Sequence, residues 1–137
     1  MGTALPDSFV PLDDTMIGRL GIEVREQSRE RMLARMPIDH RTIQPAGVAH
    51  GGALIALAET LASLGTMLNI DFATQFCVGQ EINASLLRPV PAGSFVEGEA
   101  TVLHQGRTSM VWDVKIRNPE GKLAAICRCS IAIRPRI

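Results

Sequence analysis

The feature that most constrains the fold is an apolar segment of 16 residues, Ala53 to Leu68, that directly follows a glycine-rich loop. Its length and its lack of proline predict a single long α-helix. Leu, Ile and Met side chains surround most of this helix, so we expect it to be largely buried. A chain with one buried helix must place its remaining elements around that helix, which therefore organises the fold.

One carboxylate, Glu59, stands in the middle of this apolar helix. At about 100° per residue, Glu59 shares a narrow stripe of small or polar side chains, which predicts a polar groove along the helix. The stripe consists of Gly52, Ala56, Ser63 and Thr66. An unpaired buried carboxylate costs about 2 kcal/mol or more, so its presence indicates a role. The structural alternative places Glu59 at a contact between subunits or in an ion pair with an arginine from elsewhere.

The loop before the helix, residues 44 to 52, carries the second chemical feature. The first N–H groups of a helix have no partner within it, and the positive end of the helix dipole lies there. Gly51 and Gly52 leave room for a ligand to approach, which makes them candidates for binding an anion or a developing oxyanion. A phosphate-binding loop has the glycine spacing of Gly47 and Gly52, but Ala53-Leu54 replaces its required Lys-Ser/Thr pair.

The spacing of these two features has a consequence for assembly. Glu59 lies eight residues beyond Gly51, or about 12 Å along the helix axis. One chain therefore cannot easily bring both groups to the same reacting atom. A two-fold dimer that places the loop of one subunit beside the helix of the other would unite them. We expect a homodimer with active sites at the subunit interface.

The rest of the chain predicts a short helix and six strands around the long helix. Residues 1–12 are expected to form a loose arm, and Asp13 or Asp14 to cap a short helix over Thr15–Leu20. Two alternating segments form a hairpin that Pro37 ends, and four more strands follow the long helix. The predicted strands cover residues 22–26, 31–36, 76–87, 95–103, 109–117 and 123–133.

Two further signals complete this fold prediction. Gly79 is expected to mark a bulge in its strand, and residues 118–122 to form a hairpin turn. The order of elements predicts an α+β fold, an antiparallel sheet wrapped around one long central helix, in a single domain over residues 1–137. The pattern alone does not determine the order of the strands.

Composition excludes several classes of function. Acidic and basic residues balance, the pI is about 6.8, and aromatic residues are few. We therefore expect neither nucleic-acid nor membrane binding. The first residues lack the basic and apolar parts of a signal peptide, which favours a cytoplasmic location. Cys77, Cys127 and Cys129 lack zinc-ligand spacing, and we expect packing thiols rather than a metal site or redox pair. His40 is expected at the surface.

Two motifs carry a family resemblance. They are Gln44-Pro45-x-Gly47-x-x-His50-Gly51-Gly52 and Ala58-Glu59-Thr60. Four further segments fall in step with them: Pro37-Ile38-Asp39, residues 78–84, Arg88-Pro89 and residues 103–107. Together they resemble the signature of hotdog-fold acyl-CoA thioesterases. The likeness is greatest to the branch that contains the Arthrobacter-type 4-hydroxybenzoyl-CoA, the enterobactin proofreading and the 1,4-dihydroxy-2-naphthoyl-CoA thioesterases.

The resemblance implies a thioesterase acting on acyl-CoA, or on an acyl-carrier protein, without metal or other cofactor. Glu59 would be the nucleophile or the general base that activates water. The backbone N–H of Gly51 would stabilise the oxyanion, Gln44 and His50 would position the carbonyl and the loop, and Ser63 would hold the attacking water or the carboxylate. In such dimers the loop residues come from one subunit, and the two helix residues come from the other. The family commonly builds tetramers from these dimers, so the resemblance implies a homodimer or a homotetramer.

For coenzyme A, the resemblance points to three places in the chain. They are Gly79, the segment Leu86, Leu87, Arg88 and Pro89, and the connection that contains His104, Gly106, Arg107, Thr108 and Ser109. Arg88 and Arg107 are expected to meet phosphates, with solvated surface positions as the alternative. Several relatives have a histidine just before the first of these arginines, where this chain has two leucines. That departure affects the expected nucleotide contacts and substrate preference.

Two other functions stay open. One is a non-catalytic acyl-CoA-binding protein that uses the same groove. The other is a hydratase, which is less supported because hydratases of this fold pair an Asp with a His at a spacing that is absent here. The resemblance alone favours aromatic acyl groups, and a medium-chain acyl group is the other expectation.

Overall fold

The computed structural model describes residues 5–137, in which a six-stranded antiparallel sheet surrounds one long helix. A 3₁₀ turn at Leu12–Asp14 precedes the short helix α1, Met16–Arg19, and the long helix α2 spans Gly51–Met67. The strands are β1 Glu23–Gln27, β2 Arg31–Ile38, β3 Gln75–Leu86, β4 Ser94–Gln105, β5 Ser109–Arg117 and β6 Leu123–Pro135. The predicted α+β fold and order of elements are confirmed.

The strand order in the sheet is β1-β2-β4-β5-β6-β3, and every neighbouring pair is antiparallel. Helix α2 links β2 to β3, which lies at the far edge and, among the strands of residues 5–137, pairs only with β6. The two edges differ in character. Strand β1 has five residues and carries the exposed ion pair Arg25–Glu23, whereas β3 has 12 residues and exposes Phe76 and Val78. Short charged edges resist further pairing and long apolar ones invite it.

The core lies between α2 and the concave face of the sheet, where β2, β4, β5 and β6 contribute alternate side chains. Trp112 on β5 is fully buried, and its Nε1 donates to Thr66 Oγ1 at 2.9 Å. Gly65 allows this contact, because a Cβ there would lie 2.6 Å from the indole ring. Thr66 therefore faces the core. Its place in the helical stripe had predicted that it lines the polar groove, and that prediction is wrong.

Two local predictions are wrong. Pro37 does not end β2, which continues to Ile38 with Pro37 opposite Phe95 of β4. Pairing with β1 stops at Arg35, so β2 has no strand on that side of Pro37, and a missing N–H is tolerated there. The cap of α1 is Thr15, whose Oγ1 accepts from the backbone N–H of Ile17 at 3.2 Å. Asp13 and Asp14 instead lie within the preceding 3₁₀ turn.

Other local predictions are confirmed. The register of β3 shifts between Gly79 and Glu81, which is the predicted bulge. Residues 118–122 turn tightly, with Gly121 at φ 81°. The His40 side chain is 87% exposed.

The first four residues of the predicted arm lie outside the described residues. No helix within residues 5–137 is long and apolar enough to cross a membrane.

The cysteines are free thiols. Cys127 and Cys129 are buried on the same face of β6, as predicted, and Cys77 on β3 is partly buried. Burial disfavours the thiolate, which raises the pKa of Cys77 and of Cys127 to about 11 and that of Cys129 to about 12. They are therefore poor nucleophiles at neutral pH.

Candidate active site

Backbone hydrogen bonds hold the loop before α2 against the connection between β3 and β4. The N–H of Ala49 donates to the Val90 carbonyl at 2.8 Å, and the N–H of Ala92 donates to the Gly47 carbonyl at 3.0 Å. Gly47 has φ +82°, a conformation that favours glycine. The start of α2 is thereby fixed relative to the residues that follow β3.

His50 is the N-cap of α2. The ring Nδ1 of His50 accepts from the backbone N–H of Gly52 at 2.8 Å. The backbone N–H of His50 donates to the Thr42 carbonyl at 2.8 Å. An accepting Nδ1 carries no proton, so the neutral ring carries its proton on Nε2. A Cβ at Gly52 would lie 2.9 Å from the His50 ring, so glycine makes room for this cap.

The cap determines which helix N–H remains open. The N–H of Gly52 is used by His50, whereas the N–H of Gly51 has no acceptor among residues 5–137. The partial positive charge at a helix N-terminus favours negative charge at such a donor. Of the two glycines that the sequence offered as oxyanion donors, Gly51 is therefore the one available to a ligand.

Gln44 lies in the same groove as Gly51. Its Oε1 accepts from the Ala46 N–H, which leaves the side-chain NH₂ group free to donate. The groove has a volume of about 280 Å³. Its other walls come partly from the segment predicted to bind coenzyme A: Leu86, Leu87, Arg88 and Pro89. The loop and this segment are thus brought together.

Two residues of that segment, Arg88 and Leu86, make close contacts at the groove. The Arg88 Nη1 donates to the Leu123 carbonyl at 2.8 Å, which fixes the guanidinium at the groove wall. Leu86 covers Gly51 so closely that a Cβ at Gly51 would collide with the Leu86 Cδ1. A larger residue at position 51 would displace the exposed end of the Leu86 side chain, whereas glycine lets Leu86 pack here.

Glu59 lies in a second groove, also of about 280 Å³, between α2 and α1. Ser63 lines the same groove one turn further along the helix, with Met16 and Leu20 on the opposite wall. The carboxylate is half-buried and approaches the β3 bulge, where a Cβ at Gly79 would lie 2.5 Å from Glu59 Oε2. Gly79, predicted to contact coenzyme A, thus lies against Glu59.

The ion-pair explanation for Glu59 is not supported within the chain. No Lys, Arg or His of the part that the structure describes lies within 4.0 Å of its carboxylate. The grooves of Glu59 and Gly51 have no lining residue in common. One chain therefore presents an acid in one groove and an oxyanion donor in another, as the distance along the helix had predicted.

The remaining predicted coenzyme A residues lie at the opposite end of the sheet, in the turn between β4 and β5. The turn is tight, because the Gly106 N–H donates to the Ser109 carbonyl at 2.9 Å and the His104 ring packs over Gly106. Arg107 and Thr108 line a groove of about 260 Å³ there. Within one chain, the predicted coenzyme A residues do not form a single site.

Arg134 on β6 was not among the residues predicted to bind coenzyme A. It lines the groove of Arg107, and its Nη1 donates to the Thr108 carbonyl at 3.0 Å. The Arg134-Pro135-Arg136 sequence at the end of the last strand was a possible signal. Only the pairing of β6 with β3 and β5 reveals that this strand end lies beside the β4–β5 turn.

Comparison with known proteins identifies the family. Residues 46–125 match the family model described as the thioesterase superfamily. The chain is 48% identical over 119 residues to ComA2 of Bacillus subtilis, provisionally named an esterase, covering 87% of this chain and 94% of ComA2. It is 40% identical over 121 residues to the proofreading thioesterase EntH of Klebsiella pneumoniae, covering 88% of this chain and 87% of EntH.

Solved structures agree. The thioesterase SAV0944 of Staphylococcus aureus has been solved with a glutamate replaced by alanine and, separately, with a glutamine replaced by alanine. The first superposes with a TM-score of 0.86 at 33% identity, covering 89% of this chain and all of the other. The second gives a TM-score of 0.84 at 32% identity, covering 88% and 98%. With its sheet, its helix and the family match in agreement, the chain belongs to the thioesterase superfamily and is a thioester hydrolase with the hotdog fold.

Proposed function

We propose that this protein hydrolyses an acyl-CoA thioester at sites shared between two subunits. Gln44, His50 and Gly51 of one subunit and Glu59 and Ser63 of the other form each site. The observation that supports this best is the separation of the free Gly51 N–H and the unpaired Glu59 carboxylate into two grooves of the same chain. A second subunit supplies what each groove lacks.

The Gly51 N–H and the free NH₂ group of Gln44 both donate hydrogen bonds, which suits the carbonyl oxygen of a thioester. As the reaction proceeds, the carbonyl electron pair moves onto that oxygen, and the Gly51 donor stabilises the charge. Removing one such donor costs about 10²- to 10³-fold in rate. His50 acts indirectly, because its cap holds the helix start and occupies the Gly52 N–H.

Glu59 can act by two routes, both of which yield free acid and thiol. As general base, it takes a proton from water while the water oxygen bonds to the carbonyl carbon. The C–S bond then breaks, and the leaving thiolate receives that proton. As nucleophile, the carboxylate oxygen bonds to the carbonyl carbon and displaces the thiolate. Water then cleaves the resulting anhydride to the free acid and the Glu59 carboxylate, and the proton that water releases ends on the thiolate. Ser63, one turn away, is suited to hold the water in either route.

A relative supports two of these assignments. The glutamine and the glutamate replaced in the Staphylococcus aureus structures are separated along their chain by the same distance as Gln44 and Glu59 are here. The same residue types at the same spacing in a chain of the same fold make this pair the natural choice for mutagenesis.

We infer that the subunits pair through the unpaired edge of β3. Antiparallel pairing of two copies of this strand places the Leu86 end of one beside the Gln75 end of the other. Since Gln75 lines the groove of Arg107 and Arg134, that groove would adjoin the partner's Leu86–Pro89 segment. The two halves of the predicted coenzyme A site would then meet. Assembly into a tetramer, a single domain over residues 1–137 and a cytoplasmic location stay predictions.

The test is thiol release from a panel of aryl- and fatty-acyl-CoA esters by the wild type, Glu59→Ala and Glu120→Ala. Glu120 is an exposed turn residue and serves as the matched control. We expect Glu59→Ala to lose at least about 100-fold in kcat and the control to lose nothing. Turnover by Glu59→Ala within threefold of wild type would refute the mechanism.

Two alternatives are separated by the same panel. If CoA esters bind saturably but no thiol is released, the non-catalytic acyl-CoA-binding function is correct. A hydratase would instead add water to crotonyl-CoA without releasing thiol, which the absorbance of the enoyl group reports.

A further inference from the structure

A further cavity lies beside the groove of Glu59, and we call it the distal pocket. It has a volume of about 350 Å³ and lies between the C-terminal half of α2, strand β1 and the segment before α1. Its walls include Leu12, Val24, Leu68 and Phe72. Gln27 is the one polar side chain that lines it among the described residues. The distal pocket is thus suited to an apolar occupant.

The distal pocket adjoins the groove of Glu59. Leu64 and Met67 line both cavities, so these two side chains form the boundary between them on one side of α2. Met67 lies eight residues beyond Glu59, or about 12 Å along the axis. A linear group that starts at the carboxylate and follows the helix reaches the distal pocket by passing this boundary.

The outer wall of the distal pocket is held in place by an aromatic contact. Phe9 packs edge-to-face on Phe72, with ring centroids 5.4 Å apart and an interplanar angle of 74°. This contact ties the segment before α1 to the segment after α2. The pocket therefore has a wall on each side and differs from an open apolar surface.

We propose that the distal pocket binds the tail of a straight, saturated acyl chain of medium length. The proposal rests on the proposed function, because it places the thioester carbonyl at Glu59. With C–C bonds of about 1.5 Å, a zigzag chain of about eight to ten carbons covers the 12 Å to Met67. A compact aromatic ring would stop in the first groove and leave the distal pocket empty. The unbranched Met67 side chain adapts readily to such a chain.

The expected effect is a dependence of activity on chain length. Each buried CH₂ contributes enough for about a tenfold gain in affinity for every two carbons. We therefore expect kcat/KM to rise about tenfold from butanoyl- to hexanoyl-CoA and again to octanoyl-CoA, and benzoyl-CoA to be hydrolysed more slowly than octanoyl-CoA. Equal or falling values along this series would overturn the proposal while leaving the thioesterase function intact.

A variant at the junction tests the location. Leu64→Trp fills the passage between the two cavities and should lower the octanoyl-to-butanoyl ratio of kcat/KM at least tenfold. Leu103→Trp is the matched control, because Leu103 is exposed and lines neither cavity. An unchanged ratio in folded Leu64→Trp would refute the location. If that variant does not fold, Met67→Trp, at the end of α2, makes the same test.

A binding measurement separates this proposal from the proposed function. S-octyl- and S-butyl-CoA are thioethers that cannot be hydrolysed, and calorimetry gives their affinities. We expect S-octyl-CoA to bind wild type about 100-fold more tightly, and Leu64→Trp to lose most of that difference. That result without any ester hydrolysis would support the distal pocket and refute the thioesterase function. Equal affinities for the two thioethers would refute the distal pocket.

Discussion

The contact between Gly79 and Glu59 allows a test in which one added methyl group displaces a carboxylate. A Cβ at Gly79 would lie 2.5 Å from Glu59 Oε2, whereas ordinary contact begins at 3.4 Å. The φ angle of Gly79 is not positive, so alanine fits the backbone. Gly79→Ala should therefore move the carboxylate by about 0.9 Å and leave the strand in place.

The magnitude follows from the sensitivity of catalysis to position. A displacement of about 1 Å costs on the order of 100-fold in rate, so kcat should fall between about 10- and 100-fold. Stability should change by less than about 1 kcal/mol, because the displaced atom is the free end of a flexible side chain and replacing glycine restricts the unfolded chain. Loss of rate without loss of stability is the expected signature.

Thiol release and thermal unfolding, measured on Gly79→Ala and Gln80→Ala, distinguish the outcomes. Gln80 is exposed at the same bulge, and its truncation adds no atom near Glu59. The control should retain kcat within twofold. The reasoning is wrong if Gly79→Ala keeps kcat within threefold of wild type, or if its Tm falls by many degrees.

Three other predictions follow from the site and the loop. Gln44→Ala and Glu59→Ala chains, unfolded, mixed and refolded together, should recover about a quarter of wild-type activity. Half of the randomly paired dimers are mixed, and each mixed dimer has one intact site of two. No recovery would place each site within one chain. Arg134→Gln should raise KM for an acyl-CoA but not for the corresponding acyl-pantetheine, which lacks the nucleotide phosphates. Equal effects on both substrates would show that Arg134 does not bind the nucleotide. The guanidinium of Arg41 lowers the pKa of Asp39 to about 2, so Asp39→Asn should lower Tm at pH 7. The difference from wild type should shrink as pH falls from about 4 through about 2 and disappear below that. A difference that does not shrink over this range would contradict the assignment.

The sequence predicted the elements well because each rests on a local pattern. The long helix follows from a predominantly apolar segment without proline, and the hairpin turn at 118–122 follows from Asn, Pro and Gly at fixed positions. Pro37 was misjudged because its tolerance depends on where β1 stops pairing, which no local pattern records. Sheet order was likewise beyond reach, since it depends on which strands meet across the helix.

The same distinction between local patterns and contacts distant along the chain applies to the candidate site. The proposal of Glu59 and Gly51 as site residues started from an isolated acid and from the chemistry of a helix start. That Gly51 and not Gly52 keeps a free N–H depends on the rotamer of His50. Arg134 escaped notice because it reaches the β4–β5 turn only through strand pairing. Local chemistry is readable from sequence, whereas neighbours distant along the chain are not.

The position of β3 in the sheet has a consequence for the order of events during protein synthesis. Strand β3 leaves the ribosome directly after α2, yet its one partner among the described strands is β6, the last of these six strands to be made. Until then, both edges of β3 lack partners, and the sheet cannot close around the helix. Such non-local pairing slows folding and exposes strand edges to other chains. Truncating the chain within β6 should therefore leave β3 unpaired and yield an aggregating product, even though every proposed catalytic residue has already been translated.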